Sequence, residues 1–106
     1  MNERYRVVPS VTFQEDMERL EEHIIQRELA SNSPDETCLF RFRDALERAM
    51  AILSFAPHTC RRCDQHREFR ELIVPFGNGG CVALFAIREL NVLLLAARDQ
   101  HEYDYR

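Results

Sequence analysis

The sequence predicts an α+β fold with the element order β-α-α-β-β-β, in which a helical hairpin packs on a mainly antiparallel sheet. Two amphipathic helical patterns follow each other over residues 12–31 and 34–54. Three apolar segments suited to strands come next, and a glycine-rich run separates the first of them from the second. Helix-period patterns followed by neighbouring strand patterns are typical of α+β proteins.

The predicted order opens with an edge strand over residues 4–9 and a first helix. The segment 4–9 (RYRVVP) is β-branched and aromatic, and its closing proline cannot donate a hydrogen bond to a neighbouring strand. The helix is expected to begin at Thr12 in a capping box with Glu15, since each side chain can bond the other residue's backbone amide. The apolar stripe of this helix consists of Phe13, Met17, Leu20 and Ile24.

A second helix start is predicted at residues 33–36, where serine, proline and two acidic residues follow one another. Serine is a favoured cap, proline fits the first helical turn, and acidic groups stabilise the positive end of the helix dipole. The short link between the two helices favours an antiparallel pair. The apolar stripe of the second helix consists of Leu39, Phe42, Leu46, Ala49, Met50 and Leu53.

The C-terminal half predicts a three-strand antiparallel meander formed by residues 68–76, 81–88 and 91–98. Residues 77–80 (GNGG) supply the positive φ angles that a tight hairpin requires. The preceding segment, residues 55–67, has no periodicity and is expected to be a loop. Because the last two strands are apolar at nearly every position, both faces of the sheet need cover, and the helical hairpin covers one of them.

Composition narrows the class of protein. The 106 residues, with 45% hydrophobic and 30% charged side chains, predict one globular domain over residues 1–106. The longest apolar segments, residues 81–87 and 92–97, are too short to cross a membrane, so a cytoplasmic protein without a membrane partner is expected. All 14 basic side chains are arginine, which excludes lysine-based chemistry, and the net charge of −4 disfavours nonspecific nucleic-acid binding.

One segment resembles a zinc site. His58, Cys60, Cys63 and His66 form the pattern His-x-Cys-x-x-Cys-x-x-His, which places four zinc-type donors in one short loop. Structural zinc usually takes its ligand pairs from two separated turns, and a cytosolic chain keeps its cysteines as free thiols. We therefore expect no metal and no cofactor, with zinc at this loop as the alternative.

Two stretches of the chain resemble the RelE/ParE toxin superfamily, and more closely its ParE-like branch. Residues 70–77 (RELIVPFG) and 80–85 (GCVALF) resemble the family's Arg-Glu-Leu, Pro-Phe-Gly and Gly-aromatic-Val-x-Leu-aromatic run. Residues 97–105 (ARDQHEYDY) resemble its closing Arg-His-Gln-x-Glu-x-x-Tyr. Two positions depart from this pattern, since Asp99 replaces a common histidine and Cys81 replaces an aromatic residue. The family fold is a helical hairpin followed by an antiparallel meander.

This resemblance implies the toxin of a type II toxin–antitoxin module, neutralised by a cognate antitoxin protein. Relatives resembling ParE, which act in plasmid stabilization, cause growth arrest by blocking DNA gyrase and have no established catalytic centre. Relatives resembling RelE cleave messenger RNA on the ribosome, with basic groups on two strands and an aromatic hydroxyl near the C terminus. Leu72 and Val82 stand where further basic groups would be needed, so the sequence favours the ParE-like, non-enzymatic branch.

Arg70, Arg98 and Tyr105 are the candidate catalytic residues if the chain is an RNA-cleaving enzyme. Together with His101 and Glu102, they are also the predicted contacts with the target or the antitoxin. The structural interpretations are edge charges for the two arginines, an ion pair of Glu102 with one of these arginines that pins the tail, and docking on the sheet with a free hydroxyl for Tyr105.

Other questions stay open at the level of sequence. A non-toxic interaction module of the same fold is a further alternative to both kinds of toxin. The sequence does not decide whether toxicity survives with Asp99, which antitoxin is the partner, or whether the chain forms a homodimer.

Overall fold

Two helices packed on one face of a five-stranded, mostly antiparallel sheet form the fold. The computed structural model describes residues 4–77, 79–102 and 104–105. The strands are β1 (Arg6–Pro9), β2 (Arg61–Arg62), β3 (Arg70–Phe76), β4 (Gly79–Arg88) and β5 (Asn91–Asp99). Their order in the sheet is β1-β5-β4-β3-β2, and β1 alone among these described strands pairs in parallel. The predicted α+β class and the edge position of the first strand are confirmed.

Helix α1 spans Val11–Leu29, and its N-cap is Ser10. The Ser10 hydroxyl accepts a 3.0 Å hydrogen bond from the amide of Phe13 and donates a 3.1 Å bond to a backbone carbonyl of β5. One side chain thus starts the helix and ties it to the sheet. The predicted capping box of Thr12 and Glu15 is wrong, because the helix has already begun at these exposed residues.

Helix α2 spans Cys38–Met50, and a 3-10 turn continues it to Ser54. The predicted start at residue 34 is wrong. The carboxylate of Asp35 accepts hydrogen bonds from the amide and the hydroxyl of Thr37, at 2.9 and 2.7 Å. Such local bonding favours a turn over a helix, so the link between the helices is longer than the sequence predicts.

The main core, which we call the helix-side core, lies between the helices and the sheet. Its buried members include the whole predicted stripe of α1, the Phe42 and Leu53 side chains that follow it in the chain, and residues of three strands: Leu72, Val74, Phe85, Val92 and Leu94. Burying each large apolar side chain contributes about 1.5–3 kcal/mol. This core fixes which face of the sheet the helices cover and leaves the opposite face for other elements.

Glycine conformation permits the tight β3–β4 turn, as the sequence predicts. Gly77 and Gly80 have φ angles of 58° and 139°. A Cβ atom at Gly80 would lie 2.0 Å from the carbonyl oxygen of Val74, so no other residue fits there without moving the backbone. Asn78, which the sequence also assigns to this turn, lies outside the described residues.

Residues 55–67 are more ordered than the predicted irregular loop. They contain a 3-10 turn at Pro57–Thr59 and the short strand β2, which pairs with the start of β3. The amide of Cys63 then donates a 2.9 Å hydrogen bond to the carbonyl of Phe69. The prediction of a loop is wrong here because a two-residue strand is too short to produce a periodic pattern.

A β-bulge changes which face the last residues of β5 occupy. Leu84 pairs with Ala96, but the next residue of β4, Phe85, pairs with Leu94. One extra residue shifts the alternation of side chains along a strand. As a consequence, Ala97 joins the helix-side core, whereas its neighbours Ala96 and Arg98 face the opposite side.

The bulge is held by a buried carboxylate of α1. Asp16 is 7% exposed and accepts a 2.9 Å hydrogen bond from the amide of Ala97. A buried amide without an acceptor costs about 1–3 kcal/mol, so Asp16 stabilises the irregular backbone. Arg19 lies 3.8 Å from this carboxylate and 3.3 Å from Glu102, which connects α1 to the C-terminal tail.

The assignment of the N-cap gives a test by paired substitutions. We expect Ser10→Ala to lower the free energy of unfolding by about 1 kcal/mol, because the amide of Phe13 loses its acceptor. Thr12→Ala should change it by less than about 0.5 kcal/mol, as is usual for an exposed site. Urea unfolding of both variants measures the difference, and an equal or larger loss for Thr12→Ala would contradict the assignment.

Candidate functional site

The candidate site lies on the face of the sheet that the helices leave uncovered, which we call the second face. Cys63, Leu84 and Ala96 form a small buried cluster there, with Phe69, Leu95 and Tyr105 packed against it. The loop after β2 and the C-terminal tail therefore provide the cover that the sequence requires. The polar groups of this face gather beside that cluster.

Glu71 is the centre of the polar group. It lies on β3 and is only 6% exposed. One carboxylate oxygen accepts a 3.0 Å hydrogen bond from Arg61, which the pairing of β2 with β3 places directly opposite. The other oxygen accepts a 2.7 Å bond from the Tyr105 hydroxyl and lies 3.6 Å from a guanidinium nitrogen of Arg98. A buried carboxylate is costly unless paired in this way.

Arg98 reaches the second face because of the bulge in β5. Its side chain is 12% exposed, and its guanidinium lies 5.2 Å from the centre of the Tyr105 ring. It also donates a 2.6 Å hydrogen bond to the backbone carbonyl of Glu102. Its Nε atom is buried without a hydrogen-bond partner among the described residues. Arg98 therefore holds both the tail and Glu71.

Tyr105 docks on the sheet, as the structural interpretation expects, but its hydroxyl is not free. The hydroxyl donates to Glu71, and burial together with this bond raises the pKa of Tyr105 well above its ordinary value. The prediction of a free hydroxyl is wrong, because the buried carboxylate of Glu71 lies where the docked hydroxyl can donate to it. Tyr105 is thus held as a neutral hydrogen-bond donor.

A cleft of about 450 Å³ adjoins this cluster, and we call it the arginine cleft. Its lining consists of Arg61, Arg62, Asp64, Gln65, Arg67, Glu71 and Arg98. Four guanidinium groups thus face two carboxylates, and planar guanidinium forks suit carboxylate or phosphate ligands. Arg61 and Arg62 of β2 were not among the predicted site residues, although two adjacent arginines are a signal for an anion site.

Arg70 and Arg98 do not form one site. Arg70 pairs across the sheet with Phe85, whose side chain belongs to the helix-side core, so it faces away from the arginine cleft. Its guanidinium donates to the carbonyls of His58 and Cys60, at 3.1 and 2.7 Å. Arg70 therefore fixes the loop before β2, and the structure does not bring together the three candidate catalytic residues.

His101 and Glu102 occupy different surroundings in the tail. His101 lies near Gly79 and lines a groove of about 380 Å³ between the two helices and the β3–β4 turn. The Glu102 carboxylate accepts hydrogen bonds from Arg19 and from the amide of Asp99, at 3.3 and 3.0 Å. The predicted ion pair of Glu102 thus exists with an arginine of α1 rather than with Arg70 or Arg98. Asp99 helps to line the groove with His101.

The candidate zinc ligands of residues 58–66 do not come together in one site. Cys60 packs against the helix-side core, whereas Cys63 is buried in the cluster of the second face. His58 lies against Tyr5, with ring centres 6.1 Å apart. Within residues 4–77, 79–102 and 104–105, no group of three or more histidine, cysteine or acidic residues is arranged to hold a metal ion.

Comparison of the chain with protein-family models and with curated proteins found no match. Neither helix of the described part of the chain is both long and apolar enough to cross a membrane. The interpretation of the site consequently depends on its own geometry and on the motifs that it contains.

The contact between Tyr105 and Glu71 gives a pH test. The neutral hydroxyl makes the contact and its pKa is raised, so the stability that the contact contributes is fully present below pH 10.0, the ordinary pKa of tyrosine, and is lost as pH rises from there through the raised pKa of the folded chain. We expect ultraviolet titration of the native chain to show one tyrosine that ionises later than an ordinary tyrosine, and Tyr105→Phe to remove this late step. Ionisation of all the tyrosines near the ordinary pKa would contradict the contact.

Proposed function

We propose that this chain is the toxin of a type II toxin–antitoxin module, a ParE-like inhibitor of DNA gyrase that a cognate antitoxin neutralises in the cytoplasm. The proposal draws on the RelE/ParE-like motifs of residues 70–85 and 97–105. Two observations agree with it: a helical hairpin lies on an antiparallel meander, and parts of both motifs meet at the second face.

The state of the proton-transfer groups favours inhibition by binding over RNA cleavage. Cleavage of RNA requires one group that accepts a proton and another that donates one. Glu71 already accepts from Arg61 and Tyr105, and the raised pKa of Tyr105 makes its hydroxyl a weak proton donor. The residues that line the arginine cleft include no histidine or cysteine among the described positions. This engagement of Glu71 is the observation that carries the proposal.

The second candidate function is a RelE-like, ribosome-dependent messenger RNA endonuclease. The arginine cleft favours it, because Arg61, Arg62 and Arg67 lie beside Arg98 and could bind phosphate groups. In that case Arg98 and Tyr105 would act at the scissile phosphate, after release of Glu71. Arg70 would have no direct role, since it binds the carbonyls of His58 and Cys60.

Two kinds of experiment distinguish these functions: induced expression of the chain in cells, and assays of the purified chain with gyrase or with ribosomes. We expect induced expression to arrest growth, the purified chain to inhibit supercoiling by gyrase, and messenger RNA on ribosomes to stay intact. Expression of the neighbouring reading frame, the expected source of the antitoxin, should restore growth. Cleaved ribosomal message together with unaffected supercoiling would replace the first function by the second, and absence of any arrest would contradict both.

Charge reversal at the arginine cleft locates the target contact. We expect Arg62→Glu with Arg67→Glu to reduce inhibition of gyrase by at least tenfold, because two exposed cations at the mouth of the cleft become anions. Arg48→Glu is the control for charge reversal at an exposed arginine, since Arg48 lies on α2 and forms an ion pair with Asp44. Equal inhibition by the double variant and the control would place the contact elsewhere.

A further inference from the structure

Of the described tail residues beyond Glu102, Tyr105 is the one that packs on the second face. The last backbone hydrogen bonds from the described tail to the sheet join the amide of Gln100 to the carbonyl of Gly80, at 2.9 Å, and the amide of Glu102 to the carbonyl of Asp99, at 3.1 Å. Farther along, the bond that the backbone of Asp104 and Tyr105 makes within the described part of the chain is local, from the Tyr105 amide to the Asp104 carboxylate. Tyr105 is therefore held on the sheet by its ring and its hydroxyl.

The contacts of Tyr105 cover both a polar and an apolar area. The ring packs on the cluster of Cys63, Leu84 and Ala96, and it lies over the guanidinium of Arg98. The hydroxyl binds the Glu71 oxygen that Arg98 also approaches. When Tyr105 is in place, its ring covers part of the apolar cluster and its hydroxyl occupies one oxygen of Glu71 at the wall of the arginine cleft.

We propose that Tyr105 acts as a latch. When its ring and its hydroxyl leave the sheet together, the apolar cluster of the second face becomes continuous with the arginine cleft. In the closed state, a partner that enters the cleft meets the exposed Arg61, Arg62 and Arg67, and it reaches only the small exposed parts of Arg98 and Glu71 that line the cleft. In the open state, Arg98 and Leu84 form one continuous surface. The latch is a property of the free chain and goes beyond the choice between gyrase and RNA as the target.

The remaining contacts of the tail explain why opening is local. The carbonyl of Glu102 stays bonded to Arg98, and the carboxylate of Glu102 stays bonded to Arg19 of α1. The segment up to residue 102 thus remains on the sheet when Tyr105 leaves. The main core between helices and sheet includes no tail residue beyond β5 among its described members, so it does not depend on the latch.

Labelling of Cys63 with a small thiol reagent measures the opening directly. Cys63 is 1% exposed and lies under the latch, whereas Cys81 is also 1% exposed but belongs to the helix-side core. For the full-length chain at fixed pH, mass spectrometry of the labelled peptides gives separate rates for the two thiols. A buried thiol reacts in proportion to the population of the state that exposes it.

We expect Tyr105→Phe to raise the labelling rate of Cys63 by about tenfold, the change produced by loss of one hydrogen bond to a charged group. Tyr105→Ala should raise it further, because the covering ring is also lost. The rate of Cys81 should stay unchanged in both variants. The matched control is Tyr5→Phe, which alters a tyrosine of the helix-side core and should leave the Cys63 rate as it is.

Two results would overturn the latch. In the first, Cys63 reacts at the same rate in the native chain and in both Tyr105 variants, so that the tyrosine covers nothing. In the second, the rates of Cys63 and Cys81 rise together, so that Tyr105 stabilises the whole fold instead of closing one face. Neither result depends on growth arrest or gyrase inhibition, so failure of the latch is distinguishable from failure of the proposed function.

Discussion

The buried carboxylate of Glu71 is the constraint on which the second face depends. A carboxylate removed from water is stable only if charged or polar donors replace the solvent. Here two hydrogen-bond donors and one ion-pair partner come from separate parts of the chain: Arg61 on β2 and Tyr105 in the tail donate, and the Arg98 guanidinium on β5 lies 3.6 Å away. The need to pair the Glu71 carboxylate therefore brings a short strand, a bulged strand and the C-terminal tail to the same place.

A second buried carboxylate performs a comparable task on the helix side. Asp16 binds the amide of Ala97 at the bulge, and the bulge decides that Arg98 faces Glu71 rather than the helices. The two carboxylates are thus coupled through β5, although they lie on opposite faces of the sheet. Arg19 and Glu102 extend this connection from α1 to the tail.

Much of the fold could be predicted from periodicity and turn chemistry. The stripe from Phe13 to Ile24, the glycine turn and the meander are local patterns, and the structure has them. Helix starts were less predictable, because Ser10 and Thr12 are both acceptable caps and only the contact of Ser10 with β5 selects between them. The strand β2 depends on pairing with β3 and has no periodic signal of its own.

The candidate site was predictable only in part, because its geometry depends on the bulge. Simple alternation along β5 would place Arg98 on the same face as Leu94, and the inserted residue reverses this. Motif resemblance pointed to Arg70, Arg98 and Tyr105, yet only the last two meet. They meet at Glu71, which lies in the motif of residues 70–77, but nothing in the sequence indicates that the Glu71 side chain is buried.

A double-mutant cycle between Glu71 and Arg98 tests the central role of the buried carboxylate most directly. Urea unfolding of Glu71→Ala, Arg98→Ala and the double variant gives the coupling free energy. The account predicts that the double variant loses at least about 1 kcal/mol less than the two single losses together, because each single change leaves the other charge buried. The exposed pair of Arg48 and Asp44 is the reference and should couple by less than about 1 kcal/mol. Losses for Glu71 and Arg98 that add to within about 0.5 kcal/mol would contradict the account.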